Sequence, residues 1–258
     1  MKKLILFLLL VPFAAFGQLM TKPAALKGTA LQYTDKNPRS VVILLHGTGE
    51  KGMDLSKLLA IKFIGDIDAG RFTPTGRIVI IPQLPANQPG WYGNTMDPIM
   101  AYARTFKLPI DITGYSLGGI GVGDNVPQYV NEFHSAATVY DRVDYSNPKM
   151  IPAFTAIPSI HYYDPTDNTV AYGYTSILSL FNQLTVLGKK DIAFVTLVGT
   201  PTPHNIWNQA YDATHYWAWL NTLDGGTTAP PVPTQTHIFI NDKDLGVWID
   251  PVLKVEIK

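Results

Sequence analysis

A serine hydroxyl, a carboxylate and an imidazole can together transfer an acyl group, and this chain carries all three in a telling order. Ser116 stands in Gly114-Tyr115-Ser116-Leu117-Gly118, a G-x-S-x-G pattern. The apolar run Leu108-Pro109-Ile110-Asp111-Ile112 leads into it, and Gly118-Gly119 follow. This is the setting of a nucleophile elbow, in which a strand turns sharply into a helix and holds the serine Oγ above the sheet. Glycines two before and two after the serine remove Cβ atoms that would clash in the turn. A serine hydroxyl is a poor nucleophile at neutral pH. It needs a base within hydrogen-bond reach, and the base needs a carboxylate to orient it.

In hydrolases with this elbow the chain order is Ser, then Asp or Glu, then His. The acid is therefore sought in His161-Tyr162-Tyr163-Asp164-Pro165-Thr166-Asp167-Asn168-Thr169-Val170. Asp167 is the favoured candidate, because Val170 supplies an apolar anchor just beyond it, and Asp164 is the alternative. Either also reads as a loop aspartate capping the next helix. The base is expected at His204, in Pro201-Thr202-Pro203-His204-Asn205-Ile206-Trp207-Asn208. Of the other histidines, His46 reads as structural, His161 as a support for the acid loop, and His215 as packing in an aromatic segment. His134 and His237 have no motif around them. Acyl transfer also needs N–H donors for the developing oxyanion. Leu117 should supply one. Thr48, in the glycine-flanked loop His46-Gly47-Thr48-Gly49, should supply the other.

Other chemistries find little support. The chain has no cysteine, which excludes a thiol nucleophile and a thiolate metal site. It has no H-E-x-x-H and no i,i+4 histidine pair, so no metal is expected. Gly119, Gly121 and Gly123 do not complete a dinucleotide fingerprint, and no cofactor is expected. Twenty basic residues balance twenty acidic ones, so nothing argues for a nucleic-acid partner.

The elements that must position these residues read as alternating strands and helices. Six short apolar runs look like strands buried on both faces: 40–45, 77–82, 110–113, 135–140, 157–163 and 192–198. Segments 55–67, 96–105, 117–124, 171–187 and 206–220 suit helices. The alternation predicts an α/β domain with a mostly parallel sheet and helices on both faces. Active sites of such sheets lie at the carboxyl ends of the strands. His46, Ser116 and the Asp164/Asp167 pair all fall there.

The chain's ends differ from its middle. Met1-Lys2-Lys3, the apolar run Leu4–Phe16 and Ala15-Phe16-Gly17 read as a secretory signal peptide over 1–17, cleaved after Gly17. The apolar run falls short of the ~20 residues that span a bilayer. The mature chain is thus expected to be secreted or periplasmic, without membrane attachment. Residues 18–223 form the catalytic domain, 224–236 a Gly/Thr/Pro linker, and 237–258 a short β-rich tail expected to dock on the domain. The oligomeric state is not written in the sequence.

Leu45-His46-Gly47-Thr48-Gly49-Glu50-Lys51-Gly52 resembles the LHGxGExG signature of secreted, lidless α/β-hydrolases. That group takes in predicted peptidases, phospholipase/carboxylesterase-like proteins, and polyhydroxybutyrate-depolymerase-like or feruloyl-esterase-like carbohydrate esterases. Ile81-Pro82-Gln83 with Gly90-Trp91, then Gly114–Gly119, Asp167-x-x-Val170 and His204-Asn205-x-Trp207-Asn208-x-Ala210-Tyr211 match its further blocks in order. Two departures stand out. Pro203 replaces the glycine usual before the histidine, and Tyr162 stands where the group has His-Gly. The resemblance implies a serine esterase with Ser116, Asp167 and His204 as triad, often acting on acylated plant polysaccharide. Trp91 and Tyr92, with amide side chains nearby, suit a sugar face or a feruloyl ring, or else simple loop packing. A peptidase or lipase, or a non-catalytic glycan-binding protein on the same scaffold, are the alternatives.

Overall fold

The computed structural model describes residues 19–170, 173–198 and 202–224, together with four short backbone segments beyond residue 238. The expected signal peptide and almost all of the expected linker lie outside the described residues.

The strands are β1 (Ala30–Thr34), β2 (Ser40–Leu45), β3 (Arg77–Pro82), β4 (Ile110–Tyr115), β5 (Phe133–Val139), β6 (Ser159–Tyr163) and β7 (Ile192–Thr196). They form one sheet in the order β1-β3-β2-β4-β5-β6-β7. All neighbours are parallel except β1, which runs antiparallel to β3. β2, β3 and β4 are buried at every position, which is why they read as unbroken apolar runs. Truncating a side chain such as Ile43 or Leu44 to Ala would cost about 2–5 kcal/mol. β1 was not expected. It is an edge strand in which half-buried Gln32 interrupts the buried Leu31 and Tyr33 and exposed Thr34 closes it, so no apolar run marks it.

The helices are α1 (Ser56–Leu59), α2 (Lys62–Asp68), α3 (Gly93–Arg104), α4 (Leu117–Gln128), α5 (Met150–Ala156), α6 (Gly173–Val186), α7 (Trp207–Ala210) and α8 (Tyr216–Leu223). Right-handed crossovers put α3 to α6 on one face, where each packs on the next. The opposite crossover, from β2 back to β3, puts α1 and α2 on the other face. There Phe63 of α2 stacks on Tyr211 at 4.5 Å, and Phe72 meets Trp217 of α8 at 5.7 Å. The segment expected as one helix over 206–220 is two. Asp212 Oδ1 accepts from the N–H groups of Thr214 and His215 and ends the first of them. His215 is therefore the residue before α8 rather than part of a helix.

Beyond residue 238, β8 (Phe239–Ile240) pairs with β9 (Lys243–Asp244), and β10 (Trp248–Asp250) with β11 (Lys254–Glu256), all antiparallel. The tail thus forms two small ladders.

The two ends of the sheet are built differently. At the amino end, Arg77 is buried and donates to Ser40 Oγ, Leu220 O and Asn221 Oδ1. It also pairs with Asp224, which the sequence reading placed in the linker. Beside it, Asp111 Oδ1 accepts from Ser135 Oγ at 2.7 Å and pairs with His134 Nδ1 at 3.0 Å. The carboxyl end carries the candidate site.

Candidate active site

β4 ends at Tyr115 and α4 starts at Leu117, so Ser116 alone makes the turn, at φ 54° and ψ −121°. A non-glycine residue there is strained by about 1–3 kcal/mol. The surroundings hold it. Ser116 N–H donates to Val139 O of the neighbouring strand at 2.8 Å. A Cβ on Gly114 would come within 2.3 Å of Gly118 O, and one on Gly118 within 2.0 Å of Leu45 O. The elbow is packed so closely on itself and on β2 that only glycine fits. A serine before a helix ordinarily caps it with its own hydroxyl. Ser116 makes no such bond. Its Oγ lies 2.9 Å from His204 Nε2 instead.

His204 Nδ1 lies 2.9 Å from Asp167 Oδ2, and the Asp167 side chain is only 1% exposed. The carboxylate cannot swing away, because its Oδ1 accepts from Thr169 N–H at 2.9 Å. Asp164 has a different place. Its Oδ1 accepts from the Thr166 N–H and hydroxyl, and its carbonyl accepts from Asp167 N–H. Those bonds close the turn that presents Asp167. The structure thus brings Ser116, His204 and Asp167 into one hydrogen-bonded chain, with Asp164 shaping the loop.

Leu117 is the first residue of α4, and Thr48 opens a helical turn over Thr48–Glu50. N–H groups in a helix's first turn have no intrahelical acceptor and carry partial positive charge. The two loops touch. A Cβ on Gly47 would lie 3.3 Å from Ser116 Cβ. His46 braces this loop in the neutral state. It is fully buried, and burial pulls its pKa down to about 4. Leu84 N–H donates to its Nε2 at 2.9 Å, so Nδ1 carries the proton toward Gly47 O at 2.6 Å. Gln83 anchors the same loop by donating to the carbonyls of Glu50 and Asp54, each at 2.8 Å.

Two expectations change. Trp91 is 1% exposed, its Nε1 donates to His46 O at 3.1 Å, and its ring meets the His46 ring edge-on. It is a strut behind the Thr48 loop and offers no face to a ligand. Tyr92 is 47% exposed, just before α3. His161 does not touch the acid loop. It is sealed between Thr138 Oγ1 at 2.8 Å and Ser159 Oγ at 3.3 Å, and burial lowers its pKa to about 3.

Other residues near the site escaped the sequence reading. The Tyr140 ring lies tilted over His204 at 4.7 Å, and Trp207 meets His204 edge-on at 5.7 Å. Glu50 sits under Gly47, and its Oε2 has no hydrogen-bond partner among the described residues. Glu50 and burial together push the Tyr115 phenol well above its ordinary value, burial being the larger cause. Trp207 lay in a quoted block, but nothing in the sequence signalled Tyr140. A pocket of about 340 Å³ opens at the carboxyl end of β3, lined among others by Gln83, Gln88, Asn94, Thr95 and Ile99. No cluster of side chains suited to a metal ion occurs among the described residues.

Comparison with known proteins identifies the fold. A thermostable esterase superposes with a TM-score of 0.56 at 18% identity, covering 81% of this chain and 62% of that one. The chain therefore spans less than two thirds of that esterase's length. TT1662 from Thermus thermophilus gives 0.55 at 15% identity, covering 79% and 97%. Esterase PE8 gives 0.52 at 16%, covering 79% and 99%. The chain has the α/β-hydrolase fold. No family model and no curated protein matches it. In α/β-hydrolase terms the serine occupies the elbow after β4, and the acid and the histidine follow β6 and β7.

Proposed function

We propose that this α/β-hydrolase is a secreted serine esterase that cleaves carboxylic esters through an acyl-enzyme. The observation that carries the reading is the unbroken chain from Ser116 Oγ through His204 to Asp167, at 2.9 Å for each link. His204 takes the Ser116 proton as Oγ attacks the ester carbonyl. Asp167 holds the imidazole with Nε2 facing the serine and stabilises the imidazolium that forms. The N–H groups of Leu117 and Thr48 receive the oxyanion, a contribution worth about 10²–10³ in rate per donor. His204 then protonates the leaving alcohol. Water, activated by the same histidine, releases the acid. No step calls for a cofactor.

Two of the superposed structures are esterases, which supports the reaction class. For the substrate, we propose an acylated carbohydrate or a feruloyl- or acetyl-type ester. Tyr92 and the mixed pocket in which Gln83, Gln88 and Asn94 stand among Leu26, Pro85, Pro98 and Ile99 are assigned to the alcohol portion. Activity of wild type and Ser116→Ala on acetyl, feruloyl, methyl-glucuronoyl and peptide substrates tests the proposal, together with fluorophosphonate labelling. Full ester turnover by Ser116→Ala would sink it. Polysaccharide binding without turnover or labelling would favour the non-catalytic alternative.

A further inference from the structure

Tyr140 stands one residue beyond β5, is fully buried, and has a φ of 63°. A bulky residue in the left-handed region is a genuine outlier. Its backbone is held from two sides. Tyr140 N–H donates to Tyr162 O at 3.2 Å, and a Cβ on Gly119 would come within 2.6 Å of Tyr140 O. The strained backbone aims the side chain at His204. The two rings lie 4.7 Å apart with their planes 33° from parallel. At its far end the Tyr140 hydroxyl donates to Pro203 O, the carbonyl of the residue before the histidine. One side chain thus meets both the imidazole and the backbone that carries it. Tyr163 closes edge-on against the back of the Tyr140 ring at 4.9 Å.

Resting on the esterase reading above, we infer that Tyr140 is a positioning residue for His204. Its hydroxyl fixes the Pro203–His204 backbone, and its ring face stabilises the imidazolium formed when Ser116 is deprotonated. A cation over an aromatic face is attracted by the ring quadrupole, and the effect grows as water is excluded. Neutral imidazole gains little from it, so the ring favours the charged intermediate over the ground state. The other groups facing the imidazole are the Asp167 carboxylate, the Ser116 hydroxyl and the edge of Trp207. Asp164 lies close enough to act on the Tyr140 hydroxyl together with Asp167. Pro203 has no N–H to anchor its own position. A tie on its carbonyl supplies an anchor.

Kinetics of the full chain on p-nitrophenyl acetate, with kcat/KM measured against pH, test this. Tyr140→Phe keeps the ring and loses the tie: kcat should fall about 10-fold, KM should hold, and the acid limb of the pH profile should not move. Tyr140→pentafluorophenylalanine loses the hydroxyl as Tyr140→Phe does and also reverses the ring quadrupole: relative to Tyr140→Phe, the acid limb should move about half a pH unit or more to lower pH. Tyr140→Leu should show both losses, if it folds. A folded Tyr140→Phe with wild-type kcat overturns the tie. An unmoved acid limb in the fluorinated variant overturns the ring's role. If Ser116→Ala is inactive while all Tyr140 variants match wild type, this inference fails and the esterase reading stands. If Ser116→Ala is fully active, the esterase reading itself fails.

Discussion

Three aspartate–histidine pairs occur among the described residues at nearly the same separation. Asp167 and His204 are 2.9 Å apart, Asp111 and His134 3.0 Å, and Asp212 and His215 2.8 Å. Two of them even have a serine partner. The difference lies in which atom the serine meets. Ser116 meets the free nitrogen of His204, so a proton can leave it for the imidazole. Ser135 donates to Asp111 itself, which spends the hydroxyl on holding a buried carboxylate. The first arrangement sits at the carboxyl end of the sheet, where Ser116 and His204 are half-buried. The second sits at the amino end beside Arg77 and ties β4 to β5, while Arg77 ties β3 to the last helix. A His–Asp pair is therefore no signature of catalysis. The serine on the far nitrogen, held by a strained elbow, makes the distinction.

That contrast can be broken by substitution. The largest effect is expected at Ser116→Ala, with a loss of about 10⁶ in kcat on an ester substrate. Ser135→Ala should leave kcat within about twofold. Comparable losses in kcat from both would abolish the distinction. Asp167→Asn should cost about 10⁴ in kcat by disturbing the tautomer and orientation of His204. Asp164→Asn should cost far less, because an amide oxygen can still accept from Thr166. Parity between the two aspartates would show that the acid had been misassigned.

Stability against pH sharpens the comparison further. His46 and His161 are buried and neutral, with pKa values of about 4 and about 3. The unfolded chain takes up these protons near pH 6.5 and the folded chain does not. Their contribution is therefore present above pH 6.5 and is lost as pH falls toward 4 and 3. For His46 alone this is on the order of 3 kcal/mol. His134 works in the opposite direction. Its bond to Asp111 raises its pKa, so its contribution is present below pH 6.5 and fades as pH rises through the shifted value. Its side chain is 37% exposed, so solvent weakens the effect. Urea midpoints from pH 4 to 8 should fall steeply on the acid side. The fall should be shallower in His161→Leu, and the alkaline slope smaller in His134→Ala. The smallest effect belongs to Asp212→Asn, under about 0.5 kcal/mol with unchanged kcat. A larger loss there would mean that the exposed pair does more than close the turn between α7 and α8.

The sequence discloses the parts of the molecule whose physics is local. β2, β3 and β4 are buried on both faces and so are written as apolar runs. The elbow needs glycines at fixed offsets, and the histidine block is dense with aromatic residues. Asp167 could be preferred to Asp164 on the position of Val170, but their separate tasks follow from the turn at Thr166, which spacing alone does not reveal. α5 was missed because Pro152 falls within its seven residues, where proline is tolerated only near a helix start. Trp91 shows the commoner failure. An aromatic residue after a strand invites a ligand, and only packing against His46 reveals a strut. Tyr140 was invisible for a related reason. Its importance rests on a backbone conformation and on contact with a residue 64 positions away, and no local pattern encodes either.

The clasp between Arg77 and Asp224 has a consequence for how the enzyme can be held. Arg77 opens β3 at the amino end of the sheet, and Ser116 stands beyond the carboxyl end of β4. Asp224, paired with Arg77, therefore lies on the side of the sheet away from Ser116. An attachment made at Asp224, to resin or particle, should leave Ser116 on the outward face.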